Sequence, residues 1–384
     1  MRPYGTLLDR RTLLAGTAGF CITALFGGSL FGCATDGNSE DASAQSGSQA
    51  APDATAPEGG LTPVTTEAEE RTLANGLSCV RFEGDDHLEA FLAHGGAASD
   101  ADVVSFLVGE LAGPLGGAIS FLGGAFGCST LQARTPEGAA VFGRNFDWQR
   151  CEACIVDVRP EGAYASIATV NRDFLGQCGS MLNSLPADAR SLVLTYAPLD
   201  GMNERGLAVA VLMIQDSATI AQNTGKPALT TTTAVRLLLN RAATVDEALN
   251  LLEGCDLHAS MGLMVHFALA DASGRSVVVE YVDNQMVVTE TPVVTNFYVA
   301  AGEKHGVGTA QSHERFETLT ERLGQSPALT MDEVRDALDS VSKHHFNDGE
   351  TTEWSMVCNQ ETGEVRYYHR ENYAQGYVFQ VAQD

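Results

Sequence analysis

Apolar and polar positions alternate with a two-residue period, or bunch into short aliphatic runs, at Cys128–Ala133, Ala139–Asn145, Ile155–Arg159, Tyr164–Val170, Ser191–Tyr196 and Leu207–Ile214. Gly, Asn and Asp turns separate these runs, so each is expected as a strand. The period then changes. Ala234–Ala243 has helical spacing, and Thr244 with Glu247 forms a capping box for a second helix through Leu252. A further strand group covers Leu263–Ala270, Ser276–Val282, Met286–Thr289 and Val293–Asn296. Helices follow at His313–Leu323 and Met331–Val341, the latter capped by Thr330 and Glu333, and strands Trp354–Asn359 and Glu364–His369 close the chain. This order predicts an α+β sandwich with helices outside two stacked sheets. Upstream, Leu88–Ala93 and Ala101–Leu111 read as helices, the second capped by Ser99 and Asp102.

The first 32 residues follow another pattern. A basic segment with Arg2, Arg10 and Arg11 precedes an uncharged apolar run from Thr12 that ends in Leu30-Phe31-Gly32-Cys33, which reads as a secretion signal. The Leu-x-Gly-Cys order resembles a bacterial lipobox, in which Cys33 would be acylated and become the mature N-terminus. Asp9-Arg10-Arg11-Thr12-Leu13-Leu14 resembles a twin-arginine signal, the route of folded proteins. A single membrane-spanning anchor is the competing expectation, since the run is long enough to cross a bilayer. Residues 33–70 are expected to be a lipidated, flexible, acidic linker: Ala34–Glu70 holds eight carboxylates and neither Lys nor Arg. Such a chain would hold the body ~35 Å from its anchor.

Charge narrows the partners. Among 384 residues, 23 basic and 49 acidic side chains leave a net charge of -26, which repels phosphate backbones, so no nucleic-acid partner is expected. Nine cysteines less Cys21 in the signal and Cys33 leave seven, an odd number that flags a thiol with a separate role. Cys151 and Cys154 lack the further ligands of a zinc site and are expected to be disulfide-bonded or simply buried. The pair His344-His345 near Asp348 lies in a polar connector and is expected to be a solvated loop, so no metal site is assigned.

Candidate chemistry gathers at Cys128. Gly127-Cys128-Ser129-Thr130 opens a strand, Pro136-Glu137-Gly138 turns it, and the return strand carries Gly143-Arg144-Asn145-Phe146-Asp147. That hairpin brings Arg144 and Asp147 beside Cys128. A guanidinium lowers a thiol's pKa and a carboxylate orients a proton acceptor, as attack on an amide carbonyl requires. A small buried Cys beside an Arg–Asp pair is the alternative on these residues alone.

Cys-Ser-Thr followed by Gly-Arg-Asn-Phe-Asp resembles the cysteine N-terminal nucleophile hydrolases of the choloylglycine hydrolase and linear amide C–N hydrolase group. That group includes bile salt hydrolases, penicillin V acylases, isopenicillin N acyltransferase and acid ceramidase. Asp200-Gly201-Met202-Asn203-Glu204-Arg205-Gly206-Leu207, Val294-Thr295-Asn296, Ser312-His313-Glu314-Arg315-Phe316 and Thr352-Glu353-Trp354-Ser355 match in the same order. The resemblance implies an αββα sandwich and a self-processing amidase without a cofactor, acting on a small-molecule linear amide through a Cys128 thioester. It implies that Cys128 is the nucleophile and its freed α-amine the base, that Arg144 and Asp147 hold amine and thiol, that Asn296 donates to the oxyanion and that Arg315 organises the pocket. Asn203, in a tight turn, is read as structural.

Two departures shape the expectation. The Cys of bile salt hydrolases and penicillin V acylases directly follows the initiator Met, whereas 127 residues precede it here, so Gly127–Cys128 must be cleaved. Residues 71–127 would then be a short α-chain and 128–384 the catalytic β-chain. Where bile salt hydrolases carry a pocket Asn, this chain has Val211-Leu212-Met213, and a Met side chain cannot donate a hydrogen bond. Acyl transfer to another amine, a silent binding lipoprotein of the same fold and, less favoured, a Cys/His protease are the alternatives. The expected location is the outer face of a bacterial cell membrane, and assembly into a homo-oligomer stays open.

Overall fold

The computed structural model describes residues 60–111, 127–176, 185–302, 307–346 and 349–382, all within one compact unit spanning 57–384. The signal, Cys33, most of the linker, residues 112–126, Cys178 and Asp348 lie outside the described residues.

Two sheets carry the fold. The first has seven strands in the order β1 (Leu61–Pro63), β18 (Gly376–Gln380), β17 (Glu364–His369), β16 (Thr351–Asn359), β5 (Ala140–Trp148), β4 (Gly127–Arg134) and β15 (Val293–Val294). The second has nine: β14 (Gln285–Glu290), β13 (Ser276–Val282), β12 (Val265–Ala270), β9 (Ala208–Met213), β8 (Asp200–Asn203), β7 (Ser166–Asn171), β6 (Ala153–Pro160), β3 (Leu77–Gly84) and β2 (Arg71–Ala74). A short parallel pair, β10 (Ala228–Thr230) and β11 (Asp256–His258), stands apart.

Strand alternation sorts side chains into three layers of core. Phe142, Phe146, Trp354, Met356 and Cys358 from the first sheet meet Ala208, Ala210, Leu212, Ala268 and Ala270 from the second, forming the core between the sheets. The small alanines on β9 and β12 leave room for the rings opposite. Val209, Val211, Phe267 and Leu269 point outward from the second sheet. They are covered by α1 (Leu88–Ala93), α2 (Asp100–Leu111), α3 (Ala187–Thr195), α4 (Thr231–Arg241) and α5 (Val245–Glu253). On the far side, Leu131, Val141 and Val357 pack on α6 (Ala310–Gln325) and α7 (Met331–Ser340). The expected αββα sandwich is therefore present. A Cβ at Gly143 would lie 2.7 Å from Val334, so glycine lets α7 press directly on β5.

Caps fall where the sequence places them. The Thr330 hydroxyl accepts from the Glu333 N–H at 3.2 Å, and Glu333 reaches back to the Thr330 N–H at 2.9 Å. Thr244 caps α5 through the Glu247 N–H, but the Glu247 carboxylate takes the N–H of Ala243 instead of completing the box.

Two expectations need correction. Ser191–Tyr196, read as a strand, belongs to helix α3. A short apolar run has no period long enough to separate a strand from a buried helix, and Pro186 and Asp188 at the N-terminal end favour the helix. The tether ends before Glu70: β1 pairs in parallel with β18, buried Thr66 donates to Asp157 at 2.5 Å, and Glu70 pairs with Arg172. Asn203 lies at the end of a buried strand and not only in a turn, and its structural role stands. Its amide donates to the Leu239 and Ala242 carbonyls at the end of α4, while its oxygen accepts from Arg205 and Leu207.

Candidate active site

Cys128 is opposite Phe146 in the antiparallel β4–β5 pair, and Gly127 is opposite Asp147. Side chains two apart on neighbouring strands share a face, so Arg144 stands diagonally beside the Cys128 thiol between the sheets. Its Nη1 lies 3.7 Å from Sγ and its Nη2 donates to Val211 O at 3.0 Å. Its Nε is 2.5 Å from Asp200 Oδ2, both side chains being fully buried. The indole of Trp354 donates to the same carboxylate oxygen at 2.9 Å. The guanidinium lies 5.0 Å from the centre of the Phe146 ring and 5.8 Å from that of Trp354, rings that stack 3.9 Å apart. Buried cation–π contacts of this kind are worth about 2 kcal/mol. Asp200, quoted above only as part of a motif, is thus what holds Arg144 in place.

The nitrogen of Cys128 has a separate set of partners. It donates to Asn296 Oδ1 at 2.6 Å, and Arg315 Nη2 donates to the same oxygen at 2.8 Å. Two donors converging there fix the Asn296 amide, whose Nδ2 donates to Met213 O at 2.8 Å. Met213 therefore contributes its backbone carbonyl where its side chain has nothing to donate. The second Nδ2 hydrogen is the one an oxyanion would use. Arg315 also donates to Cys128 O and, at 2.7 Å, to Ser129 Oγ, and its Nη1 lies 3.6 Å from Asp147 Oδ2. Asp147 accepts from Thr352 Oγ1 at 2.7 Å. The structure thus brings all five expected site residues together, with Asp147 and Arg315 around the backbone and Arg144 at the sulfur.

Burial dominates the electrostatics. It pushes the Cys128 thiol above its ordinary value, with Arg144 pulling the other way. It also raises the Asp147 and Asp200 carboxyls, against the pull of Arg315 on the first and Arg144 on the second. The other described cysteines are also free, and all but Cys255 are buried. Burial raises Cys151, next to Glu353, and pushes Cys154 up to about 12. Of the two expectations for this pair, plain burial is the one found.

Lys343 was not anticipated. It sits in the His344-His345 connector, yet its side chain is only 4% exposed and pairs with Glu350 at 2.7 Å. A Cβ at residue 127 would lie 2.5 Å from Asp147 Oδ2 and 2.6 Å from Lys343 Cε, so the close approach itself requires glycine there. The sequence signal is the one Lys that follows Lys304, which only the fold turns inward. The two imidazoles do reach solvent, as expected of a connector.

A small apolar cleft opens nearby, lined by Val103, Leu107, Phe174, Leu175, Tyr196 and Leu199 among others. The Phe174 ring meets Phe146, the neighbour of Cys128, edge-on at 6.4 Å.

The family model of linear amide C–N hydrolases, choloylglycine hydrolase family, matches residues 128–297. The resemblance drawn from the motifs is borne out over this segment, and the class it defines is that of the amide C–N hydrolases. The matched stretch holds Cys128, Arg144, Asp147 and Asn296; Arg315 lies beyond it and joins through the fold. A penicillin V acylase of Pectobacterium atrosepticum is 33% identical over 103 residues, which is 23% of this chain and 26% of that protein. The chain thus spans about a quarter of the length of that relative. Among solved structures, a variant of the conjugated bile acid hydrolase from Clostridium perfringens aligns with a TM-score of 0.48 and 18% identity over 66% of this chain and 92% of that one. A penicillin V acylase from Agrobacterium tumefaciens aligns at 0.45 and 19%, over 63% and 83%.

Proposed function

We propose that this protein is a self-processing amidase that hydrolyses a linear C–N amide, an N-acyl amino acid or acyl-amine, through a thioester on Cys128. The observation that carries the reading is that one residue has its nitrogen and its sulfur held independently, by Asn296 at 2.6 Å and by Arg144 at 3.7 Å. Any buried N–H needs an acceptor, but a structural cysteine has no use for a guanidinium at its sulfur. Once Gly127–Cys128 is cleaved, the nitrogen is an α-amine, a group whose ordinary value of about 7.7–8.0 lets it take up a proton near neutral pH, as a backbone amide cannot. The amine takes the thiol proton, and the thiolate beside Arg144 attacks the amide carbon. The oxyanion accepts from the free Asn296 Nδ2 hydrogen. The ammonium then returns its proton to the departing amine, and a water activated by the same amine hydrolyses the thioester. The apolar cleft one ring away from Phe146 suits an apolar acyl group.

The same proposal includes export and a lipid anchor at Cys33, for which the signal pattern of residues 1–33 is the support. Both parts are tested on one preparation, the membrane fraction of cells making the full chain. Intact mass and N-terminal sequencing should give a β-chain beginning at Cys128 and a shorter chain blocked by acylation at Cys33, and Cys128→Ala should remain one chain. Active protein that is wholly uncleaved overturns the amine as base; full chain recovered from the cytosol with Met1 in place overturns the anchor.

A further inference from the structure

We propose that Asp339, His344 and His345 form a zinc site separate from the cysteine centre. Helix α7 ends at Ser340, and the chain turns through Val341 and Ser342 into a single 3₁₀ turn, Lys343–His345. Asp339 in the last helical turn therefore meets two imidazoles five and six residues later. Its Oδ1 lies 3.6 Å from His344 Nε2 and 3.9 Å from His345 Nε2, and the three ligand atoms all lie within 4.8 Å of one another. Zinc with N and O ligands at about 2.0–2.2 Å in a tetrahedron spaces its donors by roughly 3.3–3.5 Å, so modest rotation of two solvent-reaching rings closes the set. A water would take the fourth position.

Two further observations point to a cation there. Asp339 Oδ1 is shielded from solvent and accepts no hydrogen bond. Both imidazole nitrogens are too far from it to donate and too near to admit a water between them. The second is the tautomer of His344. Ser342 Oγ donates its one hydrogen to Asp339 O at 2.7 Å, so toward His344 Nδ1, 2.8 Å away, the hydroxyl can only accept. Nδ1 thus carries the proton, and in the neutral ring Nε2 turns its lone pair toward a carboxylate. That opposition is repulsive unless a positive charge lies between, and an orienting hydrogen bond at the other ring nitrogen is how ligating histidines are held. Glu371, with Oε2 3.9 Å from His344 Nδ1, adds negative charge behind the site. The rival arrangement is a doubly protonated His344 paired with Asp339, which needs no metal.

The site would clamp the end of α7 to the turn that carries Lys343, and Lys343 packs where Gly127 meets Asp147. It touches no reacting atom, so it would act as a brace.

The test is calorimetric titration of the metal-free full chain with zinc, in a Cys128→Ala background so that the nucleophile cannot compete. One zinc per chain is expected. His344→Gln, His345→Gln and Asp339→Asn should each weaken binding at least tenfold, and Ser342→Ala about tenfold through the lost orientation. The Asp339, His344 and His345 side chains reach solvent while Ser342 is buried, and equal melting temperatures without zinc check that each variant folds. A parent protein that takes up no zinc, or a His344→Gln/His345→Gln double variant that binds it as the parent does, overturns the site.

Discussion

Asn296 has its two amide ends committed to different sheets, its oxygen to Cys128 in β4 and its nitrogen to Met213 in β9. That double commitment makes the residue a sharp test of mechanism. On protein with a verified N-terminus at Cys128, Asn296→Ala should lower kcat by about a hundredfold or more with little change in KM, because an oxyanion donor acts only in the transition state. Asn296→Asp keeps an oxygen for the Cys128 nitrogen but has no amide hydrogen, so it should lose a similar factor. A wild-type kcat in either variant would move the oxyanion donor elsewhere. Arg144 and Asp147 differ in kind: one neighbours the sulfur, the other braces Arg315 and Thr352 around the strand end.

Between elements, the ion pair of Arg144 on β5 with Asp200 on β8 ties one sheet to the other at zero exposure. Removing one partner of a buried pair leaves an uncompensated charge, so Asp200→Ala should cost about 3–5 kcal/mol in denaturant unfolding. A loss under 1 kcal/mol would mean that Arg144 finds another partner. The same strand shows where pattern stops being informative. Asp200-Gly201-Met202-Asn203 shows no strand pattern in the sequence, yet β8 is buried and its polar side chains are spent on Arg144 and on the end of α4. β3 shows the complementary case: Leu77 and Cys79 face one core layer, Val80 and Phe82 the other, so a strand covered on both sides lacks a clean alternation. Capped helices and the Cys128 hairpin were legible because their signals are local. Lys343 and the Asp339 cluster were not, since only the packing of α7 against β5 decides which way that connector faces.

At the scale of the whole molecule, acid acts on two opposed sets of groups. A net charge of -26 makes surface carboxylates repel one another, and protonating them as pH falls relieves that repulsion. Asp147 and Asp200, whose carboxyls are raised in the fold, run the same way: the stability they contribute is present below the unfolded value and is lost as pH rises through the folded one. His369 opposes them. Burial first, and Arg370 second, lower it from 6.5 to about 4, and it pairs across β17–β16 with Trp354, whose ring stacks on Phe146 beside the site. Between these two values the unfolded chain binds a proton that the folded chain refuses, so this contribution falls as pH drops from 6.5 toward 4. Replacing His369 by Asn removes that titration and leaves the carboxylates in place. Melting temperatures measured from pH 7.5 down to about 4.5 should therefore fall more steeply for the wild type than for His369→Asn, the two curves separating below about pH 6.5. Parallel curves across that window would mean that His369 protonates as easily in the fold as out of it, and that acid sensitivity originates elsewhere.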